Sequence, residues 1–180
     1  MQLIKAPNDF LEKTMQPFDF NKMDAKQVSG EMCQIMMAQQ GIGLSANQVG
    51  IDAQIFVIRP LKNADVTKPF AVINPIIREV GTETELAPEG CLSYPNLVLK
   101  IARPKELVAQ FLDIDNKECI LKLNDIDARC FLHEYDHLQG ITFDQRVSKL
   151  KLQMAMKKAK KFEKRIVNGW TRKRVTSSIW

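Results

Sequence analysis

Histidine is scarce in this sequence, and long hydrophobic runs, internal repeats and Gly-rich phosphate loops are absent from it. Only two histidines occur among its 180 residues. No stretch approaches the roughly 18 consecutive apolar residues of a membrane-spanning helix. The first residues, MQLIKAPNDFLEK, lack the apolar segment of a signal peptide. These absences favour a single globular domain that stays in a cytoplasm-like compartment.

A disulfide framework is missing as well. The four cysteines, Cys33, Cys91, Cys119 and Cys130, form no C-x-x-C pair. A chain of this length can bury a sizeable core without disulfide bonds, and its 45% hydrophobic and 26% charged residues are ordinary for a globular protein. We therefore expect most of the cysteines to be small buried apolar side chains, which leaves room for one that takes part in chemistry.

Hydrophobic periodicity predicts three helices, over residues 24–40, 124–139 and about 148–168. Their expected boundaries are Asp24 and Asn124 as caps and Gly41 and Gly140 as stops. Further β-rich runs occupy residues 53–60, 70–75, 76–80, 106–114 and 117–123, with a turn at 115–116. Short antiparallel groups of strands around a central helix predict an α+β fold.

Two segments between these elements are predicted to be loops. Residues 88–95 contain Gly90 and two prolines, so Cys91 is expected on a constrained loop. Residues 41–50 are rich in small side chains, which allow another part of the backbone to approach closely. The methionines of the first helix are expected to fill the core.

His133, Glu134 and His137 form the pattern H-E-x-x-H inside the second predicted helix. One helical turn separates the two imidazoles, so both can bind a single ion with Glu134 beside it. The alternative is a pair of core histidines, but burying unpaired imidazoles on an apolar face is costly. The sequence therefore predicts that this helix binds a metal ion.

A catalytic metal site needs a third protein ligand. One class of metallopeptidase has a histidine six residues after the second one, and here that position is Phe143. The nearest downstream candidate for a glutamate ligand, Glu163, lies in a strongly basic segment. The residues themselves leave two candidates, a cysteine thiolate or an acid that precedes the helix.

Three segments resemble the signature motifs of peptide deformylases, in the same order along the chain. Residues 41–48 are GIGLSANQ, 89–93 are EGCLS and 133–140 are HEYDHLQG, against family patterns of G-x-G-L-A-A-x-Q, E-G-C-L-S and H-E-x-D-H-L-x-G. The only departure is Ser45, where the family usually has alanine. The resemblance implies a metal-dependent hydrolase that removes the N-formyl group from the N-terminal formylmethionine of new polypeptides and releases formate.

The same resemblance implies the metal ligands. Cys91, His133 and His137 would bind one divalent ion, with water as the fourth ligand, in a tetrahedral arrangement that suits catalysis. The family typically uses Fe(II), and zinc, nickel or cobalt are the alternatives. The residue types alone would favour zinc. Glu89, Arg103 and Asp136 would orient the histidine ligands.

Roles in catalysis and substrate binding are also implied. Glu134 would act as general base and then as general acid. The Gln48 side-chain amide and the Leu92 backbone N–H would stabilise charge on the formyl oxygen. The pocket for the methionine side chain would be lined by Ile42, Gly43, Ile126 and Cys130, although Ile126 and Cys130 could equally be core residues. Arg129 and Val98 depart from the apolar and basic residues usual at their positions, so the pocket rim and the peptide contacts are expected to differ.

The charge distribution predicts a further partner. Residues 146–174 hold twelve lysines and arginines against the one acid Glu163, a net charge of +11, whereas the rest of the chain carries −6. A polyanion is the expected partner: ribosomal RNA first, a membrane surface second, and no specific DNA. The alternative is a solvated helix whose Leu152, Phe162 and Ile166 face packs on the domain. Residues 1–147 are expected to form the catalytic domain, and residues 148–180 its basic helix and tail.

Two other functions remain open from the sequence. One is an H-E-x-x-H metallopeptidase that cleaves peptide bonds, which would leave Cys91 and the first motif unexplained. The other is an inactive, metal-binding protein that docks on the ribosome, which would need neither Glu134 nor Gln48. Formate release from a formyl-methionyl peptide distinguishes these three functions.

Overall fold

Within the residues that the structure describes, seven strands form two antiparallel sheets. We describe a computed structural model for residues 1–62 and 68–176, with the side chains of its last helix as far as Lys164. The strands are β1 (Gly43–Ser45), β2 (Ile55–Ile58), β3 (Phe70–Val80), β4 (Thr84–Cys91), β5 (Tyr94–Pro104), β6 (Glu106–Leu112) and β7 (Glu118–Asn124). Five of them form one sheet in the order β1-β2-β3-β6-β7, and β4 and β5 form a separate two-stranded ribbon.

Three α-helices lie within the described residues: α1 (Ala25–Ala38), α2 (Asp125–Leu138) and α3 (Lys149–Thr176). Helices α1 and α2 both pack against strands of the five-stranded sheet. This arrangement confirms the predicted α+β class. Of the helices in these ranges, none has the length and apolar character that crossing a bilayer requires.

Helix α1 begins and packs as its sequence predicts. The Asp24 side chain accepts hydrogen bonds from the backbone N–H groups of Lys26 and Gln27, which would otherwise have no partner within the helix. Met32 and Met36 are fully buried and fill the core as predicted, whereas Met37 is 45% exposed, so the prediction is wrong for that methionine. The helix stop is displaced by one residue from the predicted Gly41, because Gln40 adopts the left-handed conformation at φ 55°.

Helix α2 lies across the sheet and carries the H-E-x-x-H pattern. Phe131 on its buried face packs edge-on against Phe56 of β2, with ring centroids 5.0 Å apart. Gly140 follows the helix at φ +71°, and a Cβ there would overlap the carbonyl of Glu12, so glycine is needed at this end. At the other end the predicted cap is wrong in detail: Asn124 occupies the N-cap position, but its side chain makes no cap hydrogen bond.

The prediction that residues 88–95 form a loop is wrong. Cys91 is the last residue of β4, and Tyr94 begins β5. Both strands of a two-stranded ribbon are edge strands, and edges tolerate proline because its missing N–H need not pair. Glu89 and Cys91 face inward, whereas Pro88 and Gly90 face solvent. The ribbon therefore presents alternate residues of the second motif to the interior.

The other interpretation as a loop, over residues 41–50, is wrong as well. Strand β1 is followed directly by a 3-10 helix, Ala46–Val49. The two predicted runs 70–75 and 76–80 are a single strand, β3, with a register shift between Ile73 and Ile76. Strand β1 is too short for its sequence pattern to be recognised, and Pro75 masks the continuity of β3.

Helix α3 leaves the body of the protein after its first turns. Leu152 and Ala155 pack on a buried cluster that includes Leu99 of β5. Phe162 is 54% exposed, so the packed face of the helix ends before it. The predicted contact through Ile166 lies outside the described side chains.

Candidate metal centre and active site

Three potential metal ligands meet where β4 approaches α2. Cys91 lies at the end of the ribbon, and His133 and His137 lie one turn apart on the helix. One ligand atom from each lies within 4.8 Å of the other two, and all three residues are buried. Cys91 Sγ is 3.2 Å from His137 Nε2. The fold therefore brings together residues that are 42 and 46 positions apart in the sequence.

The ring of His133 is oriented by Glu89. Its Nδ1 lies 3.1 Å from Glu89 Oε2. The other ring nitrogen, Nε2, is therefore the one that can bind a metal ion. Burial lowers the pKa of His133, but its hydrogen bonds to Cys91 and Glu89 outweigh burial and raise the pKa to about 10. The anionic surroundings therefore favour a cation at this ring, and a metal ion would compete with the proton.

His137 has the opposite electrostatic balance. Burial, the neighbouring His133 and Arg103 together lower its pKa well below the usual value for histidine. The ring is therefore neutral near pH 7, as a metal ligand must be. Its Nδ1 is buried and has no hydrogen-bond partner among the described residues.

Glu134 is buried beside the three potential ligands and lines a cavity next to them. Burial raises the pKa of its carboxyl group, although Ser45 and His133 act in the other direction. A raised pKa suits a carboxylate that has to take up and release a proton near neutral pH. Ser45 Oγ lies 2.9 Å from Glu134 Oε2. The sequence signal for this contact was the serine itself, which stands where the family pattern has alanine.

The first and second motifs are joined through Gln48. Its Oε1 accepts a hydrogen bond from the Ser45 backbone N–H at 2.8 Å. Its Nε2 donates to Ser93 Oγ at 3.2 Å and lies 3.4 Å from Cys91 Sγ. Leu92 lies in the turn between β4 and β5 and lines the same cavity. The amide of Gln48 is thus held in a fixed orientation beside the three potential ligands.

A cavity of about 470 Å³ opens beside the potential metal ligands. It contains all four predicted pocket residues, Ile42, Gly43, Ile126 and Cys130. Cys130 is 7% exposed and burial raises its pKa well above the usual value, so it is a neutral thiol in this wall. Lys5, which the motifs gave no reason to single out, also lines the cavity and donates to the Leu92 carbonyl at 2.8 Å.

Arg129 lines the cavity, but it lies deeper than the outer rim at which a difference was expected. Arg129 is 4% exposed, and although it lines the cavity its Nη1 donates to Glu89 Oε1 at 2.7 Å and to the Ile101 carbonyl at 2.8 Å. Arg129 therefore braces the carboxylate that orients His133. Val98, by contrast, is 59% exposed and lines the cavity, so this part of the mouth is apolar.

Asp136 ties α2 to residues on both sides of it. It accepts a hydrogen bond from Arg103 Nη1 at 2.6 Å and one from Arg146 Nε at 3.0 Å. Arg103 also donates to Glu89, so one network joins β4, β5 and α2. Arg146 belongs to the basic tail by its sequence position, but its side chain is hydrogen-bonded to Asp136 at the site.

The three potential ligands fit a divalent metal ion. A thiolate and two imidazoles are borderline-soft donors of the kind that bind zinc and other transition metals. The convergence of three buried donor atoms, together with the neutral state of His137, provides a site that a cation can occupy. Three protein ligands leave the fourth position of a tetrahedral site to water or substrate.

An α+β fold whose helix directs an H-E-x-x-H pattern towards a cavity defines a class of protein, the metal-dependent hydrolases. The family follows from comparison with known proteins. The profile of the polypeptide deformylase family matches residues 1–153. The chain belongs to the peptide deformylase family, and it is an enzyme that removes the N-formyl group from the N-terminal formylmethionine of new polypeptides.

Individual relatives agree with this assignment. The chain is 35% identical to a peptide deformylase of Maricaulis maris over 91% of its own length and 94% of the relative's. It is 37% identical to a peptide deformylase of a Wolbachia from Brugia malayi, over 91% and 96%. The crystal structure of peptide deformylase from Ehrlichia chaffeensis has a TM-score of 0.79 at 34% identity, covering 93% of this chain and 98% of that one. These matches do not favour the two alternative functions, a peptidase or an inactive docking protein.

Proposed function

We propose that Cys91, His133 and His137 hold one divalent ion, with Fe(II) as the native metal and zinc, nickel or cobalt able to replace it. The observation that carries this proposal is the convergence of one sulfur and two imidazoles at a single buried point. Glu89 supports it by fixing the ring of His133. When bound, such an ion supplies Lewis-acid chemistry, because it makes water more acidic and polarises a carbonyl group.

Glu134 is the proton-transfer group in this proposal. Its carboxylate lies against Gly43, which lines the cavity, and can take a proton from a water molecule placed there. The same oxygen then delivers the proton to the departing amine, so one residue is general base and general acid in turn. The products are formate and a peptide with a free N-terminus.

Charge that develops on the formyl oxygen requires hydrogen-bond donors. We assign this role to the Gln48 side-chain amide and the Leu92 backbone N–H. The Ser45 N–H and Ser93 Oγ hold the Gln48 amide from both ends, so it needs little reorganisation during the reaction. Loss of one donor of this kind typically costs roughly 3–4 kcal/mol in the barrier.

The methionine side chain of the substrate is proposed to occupy the apolar wall of the cavity. Ile42, Gly43, Ile126 and Cys130 provide this wall, and the neutral thiol of Cys130 suits an apolar thioether. The exposed Val98 places an apolar side chain further out, where the peptide leaves the pocket.

We further propose that residues 148–180 are the basic helix and tail of the same domain as residues 1–147, and that this helix docks on ribosomal RNA. Its first turns pack on β5, whereas the side chains of Lys157, Lys158, Lys160, Lys161 and Lys164 are exposed. The substrate emerges from the ribosome, so such charge would raise the rate of encounter.

All four cysteines are free thiols, which supports a location in the reducing cytoplasm.

Formate release from formyl-Met-Ala-Ser tests the proposed site. We expect turnover by the Fe(II)-loaded protein, loss of turnover with a chelator, and recovery on adding Fe(II). Glu134→Ala should lower kcat by roughly 10²–10⁴-fold with unchanged metal content, because only the proton-transfer group is removed. Glu79→Ala, which removes an exposed glutamate on β3, is the matched control. Wild-type turnover by Glu134→Ala would exclude the proton-transfer role.

A further inference from the structure

Ser45 is the one position at which the chain departs from the first motif of its family, and it lies against the carboxylate of Glu134. Strand β1 ends at Ser45, whose side chain is completely buried. Its Oγ lies 2.9 Å from Glu134 Oε2 and 2.9 Å from the Glu134 carbonyl oxygen. The hydroxyl therefore touches both the backbone and the reacting end of the same residue.

The carboxylate of Glu134 has few other partners. Within the described residues, no other hydrogen bond reaches its Oε2. Its Oε1 lies against Gly43, where an added Cβ would overlap it. Gly43 and Ser45 are two residues apart on β1, so their Cβ positions lie on the same side of the strand. Together they hold one carboxylate oxygen by a hydrogen bond and the other by close packing.

The two oxygens of Glu134 are thereby made unequal. The Ser45 hydroxyl has one proton for its two acceptors, and the charged Oε2 attracts it more strongly than the Glu134 carbonyl oxygen does. Oε1 lies beside Gly43, which lines the cavity. A buried side chain with three torsions has several orientations, and a proton-transfer group works only in those that face the reacting water. A hydrogen bond from a fixed, fully buried strand residue selects one of them.

We infer that Ser45 is a positioning residue: its hydroxyl holds Oε2 of Glu134 and so keeps Oε1 directed at the reacting water. This inference rests on the proton-transfer role proposed for Glu134. Alanine is usual in the family at this position, so a serine-to-alanine change is compatible with the backbone and removes only the oxygen. The role is a property of this chain that the family pattern does not require.

Ser45→Ala tests the inference through the two steady-state constants. We expect kcat for formyl-Met-Ala-Ser to fall by roughly 5- to 50-fold, as for the loss of one charge-assisted hydrogen bond, with KM, metal content and Tm unchanged. Ser29→Ala is the matched control, because it removes a buried serine hydroxyl from α1, away from the site. In a Glu134→Gln background, the additional change Ser45→Ala should have no further effect on the residual rate.

Each outcome decides between the roles. A Ser45→Ala enzyme with the wild-type kcat overturns the inference, and so does an equal loss of rate in the Glu134→Gln background. A lower Tm or lower metal content that accounts for the lost rate makes Ser45 a structural residue and also overturns it. The proposed function fails separately, if the Glu134→Ala enzyme with Ser45 intact retains its turnover.

Discussion

Glu89 accepts four hydrogen bonds at the centre of the polar network. Two come from Arg103, one from Arg129 and one from His133. Burial raises the pKa of a carboxyl group, but here the hydrogen bonds from His133 and Arg103 outweigh burial and lower the pKa to about 2. Glu89 therefore stays ionised at any physiological pH, and a charged acceptor always faces the ring of His133.

Arg129→Met should weaken metal retention without touching a metal ligand. Glu89 would lose one of its four donors, and the Ile101 carbonyl would lose its arginine partner. Changes of this kind behind a metal ligand typically cost roughly 10–100-fold in metal affinity. The measurement is the rate of metal loss to an excess of chelator. Arg78→Met, at an exposed arginine of β3, is the control. Equal rates for Arg129→Met and wild type would contradict the bracing role of Arg129.

At the scale of single residues, the motifs predicted which side chains meet but not how they are held. His133, Glu134 and His137 were predictable because a helix places residues one turn apart on one face. Two of the supporting contacts, from Arg129 and Ser45, were not predictable, because they join β1 and α2 to partners 40 and 89 residues away. Their only signal was a departure from the usual residue at each position.

At the scale of elements, helices α1 and α2 and the hairpin of β6 and β7 were predictable. A hydrophobic period and a final glycine or turn mark each of them locally, whereas of the two predicted cap side chains only that of Asp24 makes its cap hydrogen bonds. The ribbon of β4 and β5 was not, because its prolines argue against a strand unless it is known to lie at an edge. Its position depends on packing against α2 and α3, which no local pattern records.

The ribbon is the element on which the site depends most. Its inward-facing positions place Glu89 and Cys91 against α2, while the residue between them, Gly90, faces outward. A shift of one residue in the pairing would exchange these faces and remove both from the site. The alternation of a strand, rather than the freedom of a loop, explains why one segment supplies both a potential ligand and the residue that orients another ligand.

At the scale of the whole molecule, the positive charge of the C-terminal segment divides between the site and helix α3. Arg146 is paired with Asp136, so the charge that remains exposed starts with Lys149 on α3. Deleting the helix would also remove Leu152 and Ala155 from the cluster they cover. Substitution of exposed lysines is therefore a cleaner change than truncation.

The proposed ribosome contact predicts a loss of binding when these charges are removed. Lysine-to-glutamine substitutions are introduced together at positions 157, 158, 160, 161 and 164. We expect weaker sedimentation with ribosomes and a shallower salt dependence of binding, because fewer counterions are released. Hydrolysis of formyl-Met-Ala-Ser should be unchanged. The control carries five lysine-to-glutamine substitutions at exposed lysines elsewhere, at positions 22, 26, 100, 117 and 122. Equal binding by the two variants would reject a contact through α3.

The central claim is that the sulfur of Cys91 and the imidazoles of His133 and His137 bind one ion. X-ray absorption at the metal edge of the Fe(II)-loaded enzyme measures this most directly. We predict one sulfur and two imidazole nitrogens among the ligands of a single iron per chain, and loss of the sulfur contribution in Cys91→Ser. Iron bound by wild type with no sulfur ligand would contradict the account.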